Sequence, residues 1–167
     1  TNKLTVYRLP DRTNDKPWGG EIPDIHVIGN EVWVNAINQV YRLNKQTKQF
    51  TALPHPPVAD SLRTPTLNSL EVYDSQLWQG RYWITGNSKQ VSAYDLTSKT
   101  WTSYPILSSS NDPGFGGRQF IATRRGELYL DITPEAFARF DPRRKAFVVI
   151  DTMSYDYENT VHQVVEG

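Results

Sequence analysis

A pair of apolar or aromatic anchors seven residues apart recurs three times along the chain and leaves few folds open. The pairs are Leu43 with Phe50, Tyr94 with Trp101, and Phe140 with Phe147. In each unit Asn or Asp follows the first anchor, and Lys stands two residues before the last. The last anchors lie 51 and 46 residues apart. A period of this size predicts stacked units of identical architecture, each of which buries its apolar faces against its neighbours.

Each unit is predicted to consist of four short strands, because a second anchor precedes each pair and turn residues separate the apolar runs. These second anchors are assigned to Trp33, Trp78 and Tyr129. The 5 Trp, 9 Tyr, 11 Pro and 10 Gly favour strands and tight turns over helices. Strands are predicted at 24–28, 31–36, 39–43 and 49–53, then at 69–73, 76–84, 90–95 and 100–105, then at 119–123, 127–131, 136–140 and 146–150.

Four-stranded units with this period predict an all-β fold, namely a partial β-propeller of about three antiparallel blades plus orphan flanking strands. The strands of each blade are called A to D. The predicted division is 1–10 for the last strand of a preceding blade, 11–54 for blade 1, 55–107 for blade 2, 108–151 for blade 3 and 152–167 for the first strand of a following blade. Three blades are too few to close a ring of about four to eight. We therefore expect the ring to be completed by further blades of a longer chain or by a second copy.

The blades resemble the propeller repeats of two-component-regulator sensor proteins, with Glu31-Val32-Trp33-Val34 and Glu127-Leu128-Tyr129-Leu130 in the B strands. The segment from Tyr94 to Trp101 is also similar to the closing hairpin of kelch repeats, although the kelch glycine pair is not found after a B strand. The resemblance covers nearly the whole chain. It implies a non-catalytic, ligand-sensing segment of a bacterial receptor, in the periplasm or outside the cell.

Charge and composition exclude several other classes. Lys plus Arg and Asp plus Glu are 18 each, so the chain lacks the surplus of positive charge that nucleic-acid binding requires. No run of 18 apolar residues exists, so no membrane insertion is expected within this segment. There is no Cys, which excludes thiolate metal sites and a cysteine nucleophile. No cofactor motif is recognised either.

The connections from D to A and from B to C are predicted to meet at one rim of the ring, called here the D–A/B–C rim. They are the long ones, and long loops on a rigid scaffold are where binding residues concentrate. An expanded B–C hairpin is predicted at 79–89. Candidate contacts to a small ligand or a protein are Trp18, Arg63, Arg81, Tyr82, Trp83, Phe115 and Arg118. The alternative is that Trp18 and Trp83 cover the ends of the blade core.

The opposite A–B/C–D rim carries tight turns with two arginine pairs, Arg124-Arg125 and Arg143-Arg144. These are interpreted as solvated charged turns, with an acidic partner as the alternative. His26 and His162 fall in A strands, where a shared metal or substrate is a weak alternative to structural roles.

Three functions follow from these interpretations. The favoured one is binding or sensing at the D–A/B–C rim. The others are a lyase or hydrolase with a channel site near His26 and His162, and a structural scaffold in a multi-protein assembly. An enzyme is less favoured than a binding segment, because no recognisable catalytic motif accompanies the two histidines.

Overall fold

The computed structural model describes residues 7, 9–10, 24–36, 39–54, 56–57, 72–86, 88–107, 116–133 and 136–152. Within these ranges the chain forms twelve β-strands. They are β1 (Asp24–Ile28), β2 (Glu31–Ala36), β3 (Gln39–Asn44), β4 (Phe50–Ala52), β5 (Val72–Trp78), β6 (Arg81–Gly86), β7 (Gln90–Asp95), β8 (Trp101–Leu107), β9 (Gly116–Ala122), β10 (Leu128–Thr133), β11 (Ala136–Asp141) and β12 (Ala146–Thr152). No helix long and apolar enough to cross a membrane is found in these ranges.

The strands form three antiparallel groups of four, which confirms the predicted all-β, partial-propeller fold. Blade 1 is the sheet β1-β2-β3-β4. Blade 2 (β5–β8) and blade 3 (β9–β12) are joined at their outer strands into one sheet of eight, ordered β5-β6-β7-β8-β12-β11-β10-β9. The join is a short parallel pairing of Phe147 with Ile106 and Val148 with Leu107. The predicted flanking segments at 1–10 and 152–167 lie almost wholly outside the described residues.

The C–D hairpins explain the seven-residue spacing. The two anchors of each pair are direct cross-strand partners, so their side chains lie on the same face of the blade. The pairs are Leu43 with Phe50, Tyr94 with Trp101, and Phe140 with Phe147. The Asn or Asp at the start of each turn bonds the turn backbone, as when Asp95 Oδ1 accepts the amides of Thr97 and Ser98, both at 2.9 Å. The recurring Lys occupies the left-handed region, with φ of 60°, 61° and 50° in Lys48, Lys99 and Lys145.

The A–B turns correct the prediction for blade 2. Each holds a glycine with positive φ, namely Gly29, Gly80 and Gly126. The turn at Gly80 therefore separates β5 from β6, whereas the sequence pattern predicted a single B strand across 76–84. The expanded hairpin at 79–89 is wrong, and so is the anchor role of Trp78. Trp83 is the true equivalent of Trp33, since both stand two positions into strand B, after a glycine-containing turn.

Two apolar clusters hold the blades together. The cluster between blades 1 and 2 is built on Trp33 and Tyr82. The cluster between blades 2 and 3 is built on Trp83, Leu130 and Phe147, with the Trp83 ring stacked on Tyr104 at 5.0 Å. Neighbouring residues of strand β6 thus enter different cores, because successive side chains of a strand point to opposite faces.

Candidate functional site

The structure separates the residues that the sequence pattern grouped as a site. Arg81 starts β6 beside the Gly80 turn, at the A–B/C–D rim, so its predicted place at the loop rim is wrong. Its Nη1 donates to the Tyr104 hydroxyl at 2.5 Å, and its Nε lies 3.5 Å from Asp95 Oδ2. Tyr82 and Trp83 are 0% and 1% exposed, as expected of core residues rather than loop contacts. Trp18, Arg63, Phe115 and His162 lie outside the described residues.

Arg118 is the candidate that the structure places at the D–A/B–C rim. It is exposed near the start of β9. Burial raises the pKa of the nearby Asp131 carboxyl above its usual range, and the positive charge of Arg118 partly offsets this. Whether Arg118 contacts a ligand stays a prediction.

His26 takes part in a polar cluster that joins blade 1 to blade 2. Its Nε2 lies 2.7 Å from Asp24 Oδ2 and 3.0 Å from Ser75 Oγ. The Ser75 hydroxyl donates to the same carboxylate oxygen at 3.1 Å. A carboxylate only accepts, so Nε2 carries the hydrogen. The His26 ring also packs edge-on against Tyr82, with centroids 5.5 Å apart.

This cluster does not have the geometry of a serine nucleophile with its base. In a Ser-His-Asp triad the acid binds Nδ1, which leaves Nε2 to take the serine proton. Here Asp24 and Ser75 share Nε2, and the serine hydrogen already goes to Asp24. Ser75 is only 3% exposed, so a substrate has no direct approach to its hydroxyl. The arrangement is suited to holding two inner strands together by hydrogen bonds.

A second inner-strand carboxylate joins blade 2 to blade 3. Asp74 Oδ2 accepts the backbone amide of Phe120 in β9 at 2.6 Å. Burial raises the pKa of Asp74, and its hydrogen bonds to the amides of Phe120 and Ser75 only partly offset this. Asp24 and Asp74 occupy equivalent positions, because each pairs with the residue two places after the anchor tryptophan, Asn35 and Thr85 respectively.

The inner-strand ends at the D–A/B–C rim therefore carry a row of polar side chains in all three blades. We call this row the inner-strand polar band, and it comprises Asp24, Asn35, Asp74, Thr85, Arg118 and Asp131. Asn35 and Thr85 are 0% and 3% exposed. The side-chain amide nitrogen and oxygen of Asn35 and the hydroxyl of Thr85 have no hydrogen-bond partner in the described part of the chain. Sequence inspection missed this band. The signal in the sequence is a polar residue two places after each B-strand anchor. It is not recognisable in blade 2 when Trp78 instead of Trp83 is assigned as the anchor.

No protein-family model and no curated protein matches this sequence. Solved structures do match its fold. One, described as the extracellular domain of a hybrid two-component system, BT4673 from B. thetaiotaomicron, gives a TM-score of 0.60 at 12% identity, covering 85% of this chain and 18% of that one. A second structure of a BT4673 extracellular domain, described there as a one-component system, gives 0.58 at 16% identity, covering 87% and 18%.

A europium-containing methanol dehydrogenase also matches, with a TM-score of 0.52 at 12% identity, covering 78% of this chain and 26% of that one. The chain thus spans about a fifth of the BT4673 domain. At such identities the likeness shows the fold alone. The extracellular domain of a protein described as a two-component system and a methanol dehydrogenase both share it, so function must be argued from the site.

Proposed function

We propose that the chain is a non-catalytic binding or sensory segment of a β-propeller, which recognises a small polar ligand at the D–A/B–C rim. The observation that carries this proposal is the inner-strand polar band. Asn35, Thr85 and Asp131 are at equivalent positions of the three blades, and so are Asp24 and Asp74. Arg118 lies beside Gln119, which is the strand partner of Asp131. Asn35 and Thr85 are shielded by the packing of the blades. A ligand can reach the band at Asp24, Arg118 and Asp131, which are partly or fully exposed.

The electrostatics of the band favour a ligand with hydrogen-bond donors. Its three carboxylates, Asp24, Asp74 and Asp131, face one cation, Arg118. Asp24 is 30% exposed and His26 is 19% exposed at the side chain, so a ligand can reach both. The geometry around Ser75 argues against the hydrolase alternative. His162 lies outside the described residues, so a shared histidine site has no observation in its favour.

We further propose an extracellular or periplasmic location and completion of the ring by further blades or by a second copy. The fold likeness to an extracellular domain supports the location. The outer faces of blades 1 and 3 support the partner, because they leave large apolar side chains open. Ile25 and Val27 are 55% and 64% exposed on β1, and Ile150 is 54% exposed on β12. Blade 2 packs against both neighbours, and its exposed large apolar side chains are less open: Tyr73, Leu77 and Leu107 are 42%, 37% and 44% exposed.

A ligand screen with one discriminating variant tests the proposed function. Polyamines, amino acids and polyols are added to the protein, and the shift in Tm is measured. Asp131→Asn removes one partly exposed carboxylate of the band and keeps its volume, so the free protein should keep its stability while any ligand-induced shift is reduced. Glu31→Gln, the same kind of change at the opposite rim, should retain the shift. An equal shift in Asp131→Asn, or no shift with any compound, contradicts the proposal.

A further inference from the structure

The A–B/C–D rim is strongly positive although the chain as a whole has a net charge of zero. We call this surface the basic rim and define it as the A–B and C–D turns with the strand ends that carry them. Its basic residues are Arg42, Lys45, Lys48, Arg81, Lys99, Arg124, Arg125, Arg139, Arg143, Arg144 and Lys145. Its acidic residues are Glu31, Asp95, Glu127 and Asp141. Eleven cations therefore meet four anions here, and the rest of the chain is correspondingly negative.

The four acidic side chains of the basic rim are engaged in the fold itself. Asp141 Oδ1 accepts the amides of Arg143 and Arg144 at 2.8 and 3.2 Å, and these bonds lower the pKa of Asp141. Glu127 lies 3.5 Å from Arg139 and accepts the Tyr129 hydroxyl at 3.1 Å. Each of the four acids also lies within 4 Å of one Arg. The surplus of positive charge therefore belongs to the exposed tips of the turns.

The surplus is densest in blade 3. Arg124 and Arg125 form the tip of its A–B turn, and Arg143, Arg144 and Lys145 form the tip of its C–D turn, all exposed. The two tips belong to strand pairs about two strand spacings apart, or roughly 10 Å. Both tips are rigid. The A–B turn is closed by backbone bonds between Thr123 and the segment 126–127 at 2.9 and 3.1 Å, and the C–D turn is held by Asp141.

We propose that the blade 3 end of the basic rim docks an acidic segment of a partner protein in an extended conformation. Carboxylates three residues apart on an extended chain of the polyproline II type lie on the same side, about 9 Å apart, which matches the two turn tips. The guanidinium of Arg binds carboxylate oxygens in a two-pronged fashion, and four of the five cations are Arg. This surface lies at the opposite rim from the inner-strand polar band, so it is independent of the proposed function.

An acidic protein fits these two turns better than a nucleic acid or a membrane does. Single-stranded nucleic acids are held by aromatic side chains on which bases stack, and neither turn exposes one. Peripheral membrane binding is strengthened by apolar side chains that enter the lipid, and residues 123–127 and 141–145 expose no large apolar side chain. What remains is an array of positive charge suited to carboxylates.

Fluorescence polarisation with a labelled twelve-residue peptide of Glu, Asp and Gly tests the proposal. Binding should weaken steeply when salt rises from about 50 to about 200 mM, since exposed charges are screened. Arg125→Gln with Arg143→Gln, one change in each turn, should raise Kd by about tenfold or more. Lys48→Gln with Lys99→Gln removes the same charge from the same rim in blades 1 and 2 and should change Kd by less than roughly threefold.

Three results would overturn the proposal. One is that the acidic peptide binds no better than its Gln-for-Glu, Asn-for-Asp counterpart. Another is that both double variants weaken binding equally, because the rim would then act as diffuse charge rather than as a site in blade 3. The last is tighter binding of a twelve-nucleotide oligothymidylate or of phosphatidylglycerol vesicles than of the peptide.

Discussion

Substituting Gly117 with Ala adds one methyl group where blade 3 packs on blade 2, and so tests how tightly the two blades pack. Gly117 lies in β9, opposite Ile132 of β10, and is buried. A Cβ at this position would overlap the Thr85 hydroxyl of blade 2 and would lie 2.9 Å from both terminal methyl groups of Leu130. Leu130 is 0% exposed and Thr is restricted at χ1, so neither side chain can move aside freely.

The expected loss of stability follows from two opposing effects. Overpacking a core by one methyl group costs about 1–3 kcal/mol. Replacing Gly by Ala restricts the unfolded chain and restores about 0.4–1 kcal/mol. The net effect is a loss of about 1–2 kcal/mol. For a chain of 167 residues this lowers Tm by roughly 2–8 °C.

A double-mutant cycle identifies the cause. Thr85→Ala removes the overlapping hydroxyl, which has no partner in the described structure, so the single change should be nearly neutral. Combined with Gly117→Ala it should restore at least half of the loss, a coupling of about 1 kcal/mol in thermal or urea unfolding. Gln119→Ala, on an exposed side of the same strand, serves as the control. A Gly117→Ala protein as stable as the wild type, or strictly additive effects, would refute the packing described for blades 2 and 3.

Three further changes probe the inner strands and the core. Ser75→Ala removes the hydrogen bonds to His26 and Asp24 and should cost about 1–3 kcal/mol in urea unfolding, against almost nothing for the exposed Ser98→Ala; equal effects would contradict the bridge. Asp74→Asn keeps an acceptor for Phe120 but cannot ionise. Burial raises the pKa of Asp74, so the folded state binds the proton of this carboxyl more tightly than the unfolded state does. The contribution of Asp74 to the free energy of unfolding is therefore fully present at low pH, and it is lost as the pH rises through the pKa of the folded state. The variant should therefore be more stable than the wild type at about pH 7 and equal to it near pH 3.5, and the reverse order would show that the carboxylate is stabilised instead. Trp83→Ala should cost about 3–5 kcal/mol in urea unfolding, and a cost below about 1 kcal/mol would show that the ring is not part of the core.

The sequence determined the parts of this fold that depend on near neighbours. The C–D hairpins were predictable because Leu43 and Phe50 are seven residues apart and face each other directly across one turn. All strands of blades 1 and 3 were placed within a few residues for the same reason. Each hairpin is closed by its own turn chemistry, an Asx residue at its start and a left-handed residue near its end.

The register of the A and B strands in blade 2 could not be predicted from the sequence pattern. Trp78 and Trp83 are both aromatic and both flank the Gly80 turn, so either could serve as the B-strand anchor. A strand pattern slips to the opposite face with a shift of one residue, and residue identity alone did not favour one register. Trp83 is the anchor in the folded protein because its ring fills the space between blades 2 and 3 beside Tyr104 and Phe140.

Only the tertiary structure decided where the polar groups meet. His26 and Ser75 are 49 residues apart, and Asp74 and Phe120 are 46 apart, so each contact joins two blades. The basic rim likewise collects turns from all three units into one surface. Such sites arise because stacking places equivalent positions of successive repeats side by side, whereas a linear pattern shows each position only against its own neighbours.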